Sequence, residues 1–300
     1  MSSQKTAIII LNKSSGLNNP ARDIITSEKL IDWFAAGGIR AAVVACEPED
    51  LVASTETALA GQPDMIITAG GDGTVSSIAA VTCHSDIPLG VLPLGTLNHF
   101  AQDLGMPVDI AACVAILCNG AVYQVDIRQL NDQYFINNAS IGFYPKMVRH
   151  RDQQIRDVQR NKWFALTISA VRMLLHFPLL TVSIETEQGS TVTKTPLVFI
   201  GNNRYDCSLA AGRACLSEGE LCVYVVKCSS RFAVLRLLWQ AMYRGFYAAD
   251  DFVAYHVNEA VIRVKAKAVQ TASDGEVHLM SSPLRYRSMA RALRILGPRR

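Results

Sequence analysis

The chain has 300 residues, half of them hydrophobic and 18% charged, so it can bury a sizeable core, and global disorder is excluded. Its net charge of +3 is too small for a chain built to bind nucleic acid. The basic excess gathers at the end: Arg285, Arg287, Arg291, Arg294, Arg299 and Arg300 follow one another with no acid among them.

The first elements alternate. Thr6–Leu11 is an apolar run of strand type, followed by the turn-forming Asn12-Lys13-Ser14-Ser15-Gly16. Residues 22–36 carry helical spacing, stopped by Gly37-Gly38. Ile39–Cys46 reads as a second strand, Glu49–Ala60 as a second helix and Met65–Ala69 as a third strand. A helix is expected after Gly73, a fourth strand over Ile87–Leu94 and a further helix over Asp109–Leu117. This order calls for a mostly parallel, Rossmann-like sheet covered by helices. Ligands of such sheets sit beyond the carboxyl ends of the strands.

The texture changes near residue 120. Ala121–Leu130, Gln133–Ala139, Leu180–Thr186, Thr195–Gly201, Glu220–Cys228, Ala260–Ala266 and Glu276–Met280 read as strands, with a hairpin turn at Gln188-Gly189-Ser190. Two apolar, arginine-bearing helical insertions are expected over 146–177 and 229–249; they suit packing on a sheet, walling an apolar substrate cleft or touching a bilayer surface. Ser288–Leu296 reads as a short helix with Met289, Leu293 and Leu296 on one side and arginines on the other, docked on the protein or touching an anionic membrane surface. The division is therefore an α/β nucleotide-binding domain over 1–120, a mainly antiparallel β-sandwich with inserted helices over 121–284, and a basic tail over 285–300.

None of the eight cysteines has a C-x-x-C partner, so they read as small core residues of a reducing compartment. Ala7–Leu11 is too short for a secretory leader, and no uncharged apolar run reaches about 18 residues. A cytoplasmic protein is expected.

The most informative stretch is Gly70-Gly71-Asp72-Gly73-Thr74, between the third strand and its helix. Glycines let the backbone take positive φ and approach a ligand closely. Amides freed at a helix start attract phosphate. Asp72 would repel phosphate unless a cation such as Mg²⁺ lay between. The same residues also suit a plain strand-to-helix turn capped by Asp72. No Walker lysine follows, no H-R-D or D-F-G occurs, and G-x-G-x-x-G is absent.

The pairing of GGDGT with Gly95-Thr96-Leu97-Asn98-His99-Phe100-Ala101 resembles the diacylglycerol kinase catalytic family, in particular the bacterial soluble lipid kinases of the YegS/DgkB type. Asn12-Lys13-Ser14-Ser15-Gly16 is similar to the family's first loop, and Ser273-Asp274-Gly275-Glu276 to its Asp-Gly-Glu. The resemblance implies two domains with the active site between them, and transfer of the ATP γ-phosphoryl group to a lipid hydroxyl. It implies that Asn12, Lys13, Gly70, Gly71, Asp72, Gly73, Thr74, Thr96 and Asn98 hold the nucleotide, with Asp72 near Mg²⁺. Glu276 would accept the hydroxyl proton with Asp274 beside it, although Asp274-Gly275-Glu276 alone reads as a hairpin turn. A lipid partner implies transient contact with a membrane surface.

Two departures stand out. Ala45-Cys46-Glu47-Pro48 replaces the Thr or Ser that the family often uses to touch ATP. A second, structural metal is implied at an Asp-Gly pair of the β domain, where this chain has Glu218-Gly219. Two rivals remain: an NAD kinase-like small-molecule kinase, and a non-catalytic nucleotide- or lipid-binding protein of the same fold.

Overall fold

The computed structural model describes residues 4–15, 25–142, 179–201, 216–226 and 252–299. The helical insertions expected over 146–177 and 229–249 lie outside the described residues.

β1 (Thr6–Asn12), β2 (Arg40–Cys46), β3 (Met65–Gly70) and β4 (Leu89–Pro93) pair in parallel in the order β2-β1-β3-β4. Every residue of β3 and β4 is buried, which is why both read as unbroken apolar runs rather than alternating ones. The helices are α1 (Ser27–Ala36), α2 (Leu51–Ala60), α3 (Asp72–Thr82), the short α4 (His99–Asp103) and α5 (Ile110–Asn119). Leu30 and Phe34 of α1, Ile78 of α3 and Leu117 of α5 join Ile9, Ile66 and Ile67 of the strands in one core. Thr26 and Asp109 cap α1 and α5 by accepting the Lys29 and Ala112 amides at 3.2 and 2.7 Å.

The remaining strands are β5 (Ala121–Leu130), β6 (Gln133–Phe135), β7 (Asn138–Gly142), β8 (Leu180–Thr186), β9 (Gly189–Thr195), β10 (Leu197–Gly201), β11 (Leu221–Val226), β12 (Phe252–Val257), β13 (Glu259–Val264), β14 (Ala268–Ser273), β15 (Glu276–Ser281) and β16 (Leu284–Gly297). One antiparallel sheet runs β12-β11-β10-β7-β14-β15. The other extends the parallel sheet through β16 to β13, β8 and β9. Their facing residues, among them Ile141, Ile200, Val223, Ile262 and Tyr286, form a second core. The result is an α/β domain followed by an antiparallel β-sandwich.

Besides α4, β12 and β14, which the sequence reading did not name, two expected elements differ. Residues 288–296 are not a helix but part of β16. That strand runs antiparallel to β5 along most of its length, and its last residues pair in parallel with β4 at Leu89 and Gly90. Buried Leu284 and Tyr286 alternate with exposed Arg285 and Arg287, and buried Leu293 and Ile295 stand two apart. That period of two competes with the helical spacing of Met289, Leu293 and Leu296, and two open strand edges decide it. The expected strand over Gln133–Ala139 is broken at Ile136-Asn137. β6 pairs with β5 in one sheet, while β7 pairs with β10 and β14 in the other, so the chain changes sheets there.

Candidate active site

Parallel pairing brings the carboxyl ends of β1, β3 and β4 side by side, and the loops after them meet. Asn12 Nδ2 donates to Thr74 Oγ1 at 2.8 Å, and Ser15 Oγ lies 3.2 Å from the same oxygen. Asn12 Oδ1 accepts the Ser14 amide at 2.9 Å. Both Asn12 and Thr74 are buried, so their polar atoms shape the junction of two loops. Lys13 is exposed and reaches Glu47 at 3.6 Å. The loops after β3 and β4 touch backbone to backbone. A Cβ on Gly71 would stand 3.2 Å from Gly95 Cα, and one on Gly95 would collide with Gly71 Cα. None of Gly70, Gly71, Gly73 and Gly95 has positive φ. Gly70, Gly71 and Gly95 are required for space, not for a left-handed backbone, while a Cβ on Gly73 would meet only an ordinary contact.

Helix α3 begins at Asp72 with Gly71 as its N-cap and no side-chain cap. Its first-turn amides are left for another acceptor, the arrangement that suits an anion. Asp72 does not cap its own helix. Its carboxylate reaches across and accepts the amides of His99 and Phe100, both at 3.1 Å, at the start of α4. Thr96 is exposed. Asn98 is left-handed (φ 52°), a conformation asparagine tolerates. It bonds back to Gly95 N at 2.9 Å and Gly95 O at 2.8 Å, so it fixes this loop from within.

The C-terminal acids arrive on the β14–β15 hairpin. Its two-residue turn has positive φ at both Asp274 (47°) and Gly275 (89°), the primed turn for which Asp-Gly is suited. The Asp274 carboxylate accepts four hydrogen bonds: from Ser76 Oγ at 2.7 Å and from the amides of Ile136 at 2.8 Å, Asn137 at 2.9 Å and Asn138 at 3.1 Å. These amides belong to the break between β6 and β7, and Ser76 to α3. Burial pushes the Asp274 carboxyl up, and the four donors pull against it. Glu276 is 65% exposed at its side chain. Its Oε1 would lie 3.5 Å from a Cβ on Gly73, over the first turn of α3, while Oε2 is 3.8 Å from His278 Nε2.

Asn137 joins the two acids. Its amide goes to Asp274, and its Nδ2 stands 3.4 Å from Asp72 Oδ1. Its Oδ1 is buried with no hydrogen-bond partner. Asn137 presents its Nδ2, not its Oδ1, to Asp72, so Asp72 is the carboxylate here with accepting capacity left, the oxygen type that a Mg²⁺ keeping several waters takes. Among the described residues no three His, Cys, Asp or Glu side chains gather as an ion-binding set, and none of the helices is long and apolar enough to cross a membrane. Glu218 is exposed and lies in the β domain, not beside these loops.

Residues 6–130 match the family model described as the diacylglycerol kinase catalytic domain, and residues 143–297 the YegS C-terminal NAD kinase beta sandwich-like domain. The chain belongs to the diacylglycerol kinase catalytic-domain family. It is 26% identical to a diacylglycerol kinase of Staphylococcus aureus, over 98% of this chain and 93% of that protein. With a diacylglycerol kinase of Staphylococcus epidermidis it shares 27% identity, over 92% and 84%. In fold it is similar to a crystal structure of a putative diacylglycerol kinase from Bacillus anthracis, with a TM-score of 0.71, 20% identity and coverage of 98% and 97%.

Three residues of this diacylglycerol kinase family member were not singled out in the sequence. Ser76 and Ser15 lie within or next to the motifs, and only their partners reveal what they hold. Asn137 had a signal: Asn137-Asn138 is a polar pair inside a stretch otherwise fit for one strand.

Proposed function

We propose that this protein transfers the γ-phosphoryl group of ATP, carried as its Mg²⁺ complex, to the hydroxyl of a lipid such as diacylglycerol. The observation that carries this reading is the position of Glu276 Oε1, from one domain, over Gly73 in the phosphate-type turn of the other.

In this reading the first-turn amides of α3 take the phosphates, and the Gly71–Gly95 contact keeps the floor of the site flat enough for them to approach. Lys13 adds a positive charge at the rim. Asp72, steadied by the Asn137 Nδ2, would hold Mg²⁺, which when bound neutralises charge on the phosphates. Glu276 takes the proton of the acceptor hydroxyl on an Oε atom as that oxygen attacks; a carboxylate within hydrogen-bond reach is suited to that step. Asp274 has its oxygens engaged by four donors, so its part is to hold the hairpin that presents Glu276. Exposure of Glu276 leaves room for a lipid headgroup. Uptake of the lipid implies brief contact with a membrane surface.

The likeness of the C-terminal half to an NAD kinase β-sandwich supports a second reading, transfer to NAD. The test is incubation with γ-labelled ATP and Mg²⁺, once with diacylglycerol in mixed micelles and a total lipid extract, and once with NAD. Label is expected in a phosphorylated lipid. Label in NADP, or in neither, would reject the proposal.

A further inference from the structure

The resemblance implies a structural divalent cation near Glu218-Gly219, and the residues there do not fit one. Arg128 of β5 is 1% exposed and Asp126 fully buried. Arg128 Nη2 donates to the Glu220 carbonyl at 2.6 Å and stands 3.4 Å from Asp126 Oδ2. Asp126 Oδ2 also accepts the Gly219 amide at 2.6 Å, and Oδ1 accepts the Arg291 amide at 2.7 Å. The Asp126 amide donates to the Leu216 carbonyl at 2.8 Å. Arg291 is left-handed (φ 53°) and lies at the register shift of β16 between Met289 and Leu293. One carboxylate therefore ties together the 216–220 loop, β5 and the irregularity of β16. A buried carboxylate and an inward-facing carbonyl call for a positive charge. They are also the oxygen types a divalent ion prefers. A fixed guanidinium already holds both.

We propose that the Arg128 guanidinium takes the place of a structural divalent cation in this chain, holding Asp126 and the Glu220 carbonyl so that the loop before β11 and the β16 irregularity are set without metal. Glu218 points its charge from the surface and only adds to the negative field that Arg128 feels. Divalent ions then bear on phosphotransfer and not on the fold. This does not depend on which acceptor is phosphorylated.

The test is thermal unfolding of the full chain without nucleotide. In EDTA and in millimolar Mg²⁺ or Ca²⁺ the wild-type Tm is expected to agree within about 1 °C. Arg128→Met is expected to lower Tm by roughly 5–10 °C, since it strands a buried carboxylate. Arg128→Lys keeps the charge without the planar fork and is expected to melt above the methionine variant. A wild-type Tm that falls in EDTA and recovers with Mg²⁺ overturns the proposal. So does a methionine variant as stable as wild type, or a lysine variant that melts no higher than the methionine one. Should Arg128→Met be too unstable to purify, the wild-type titration decides.

Discussion

Ser76 Oγ and Asp274 Oδ2 lie 2.7 Å apart although 198 positions separate them in the chain. One is on the first helix turns after the GGDGT motif, the other in the turn of the C-terminal hairpin. This bond, with the three amides from the β6–β7 break, fixes the acid-bearing hairpin against the phosphate-type turn.

Removing that anchor has a defined cost. Asp274→Ala leaves the Ile136, Asn137 and Asn138 amides without their acceptor, and each buried unpaired donor costs about 1–3 kcal/mol. A loss of about 2–4 kcal/mol in urea unfolding is expected. Ser76→Ala removes one hydroxyl donor and is expected to cost about 1 kcal/mol. Equal stability of Asp274→Ala and wild type would show that the four bonds do not hold the hairpin.

The glycines of the two loops differ in what they tolerate. Gly95→Ala puts a methyl group into Gly71 and 2.8 Å from Asn98 Oδ1, and overpacking of this kind costs roughly 1–3 kcal/mol. Gly73→Ala meets only Glu276 Oε1, at an ordinary 3.5 Å. Gly95→Ala is expected to lower Tm and weaken ATP binding, while Gly73→Ala keeps its Tm. The reverse order in a melting series would refute the loop contact.

Asp72→Asn alters the group that anchors α4 and, in the proposed function, holds Mg²⁺. Its partners are amides at the rim of the site, so the variant is expected to fold and to lose about 10²-fold or more in phosphotransfer. Turnover within twofold of wild type would remove Asp72 from the mechanism.

Burial pushes the half-buried Cys83 thiol up to about 11. The thiolate is the reactive form, so at pH 8 about one molecule in a thousand carries it. Alkylation of Cys83 is expected to be slow and to rise about tenfold per pH unit towards 11. Peptide mapping after iodoacetamide at two pH values measures this; a pH-independent rate would contradict it.

Much of the fold was legible because its signals are local. Unbroken apolar runs gave β3 and β4, and turn chemistry placed the loops after them. The tail was misread because Leu293, Ile295 and their neighbours fit both periods, and only strands β4 and β5, remote in sequence, settle the choice. That the GGDGT and GTLN loops meet at one sheet edge was legible from their place after parallel strands. Their internal division of labour was not: that Asp72 anchors α4, Asn98 folds back on Gly95 and Asp274 is enclosed by four donors depends on contacts no spacing encodes. Arg128 was invisible for the same reason, since one arginine in a strand reads as a solvated charge until its partners are known.

The most direct measurement is phosphotransfer and ATP binding by Glu276→Gln, assayed side by side on folded protein. The expected result is ATP affinity within a fewfold of wild type and transfer to lipid reduced by about 10²–10⁴-fold. Wild-type transfer by this variant would contradict a proton-accepting Glu276, and a collapse of ATP affinity would make its part structural.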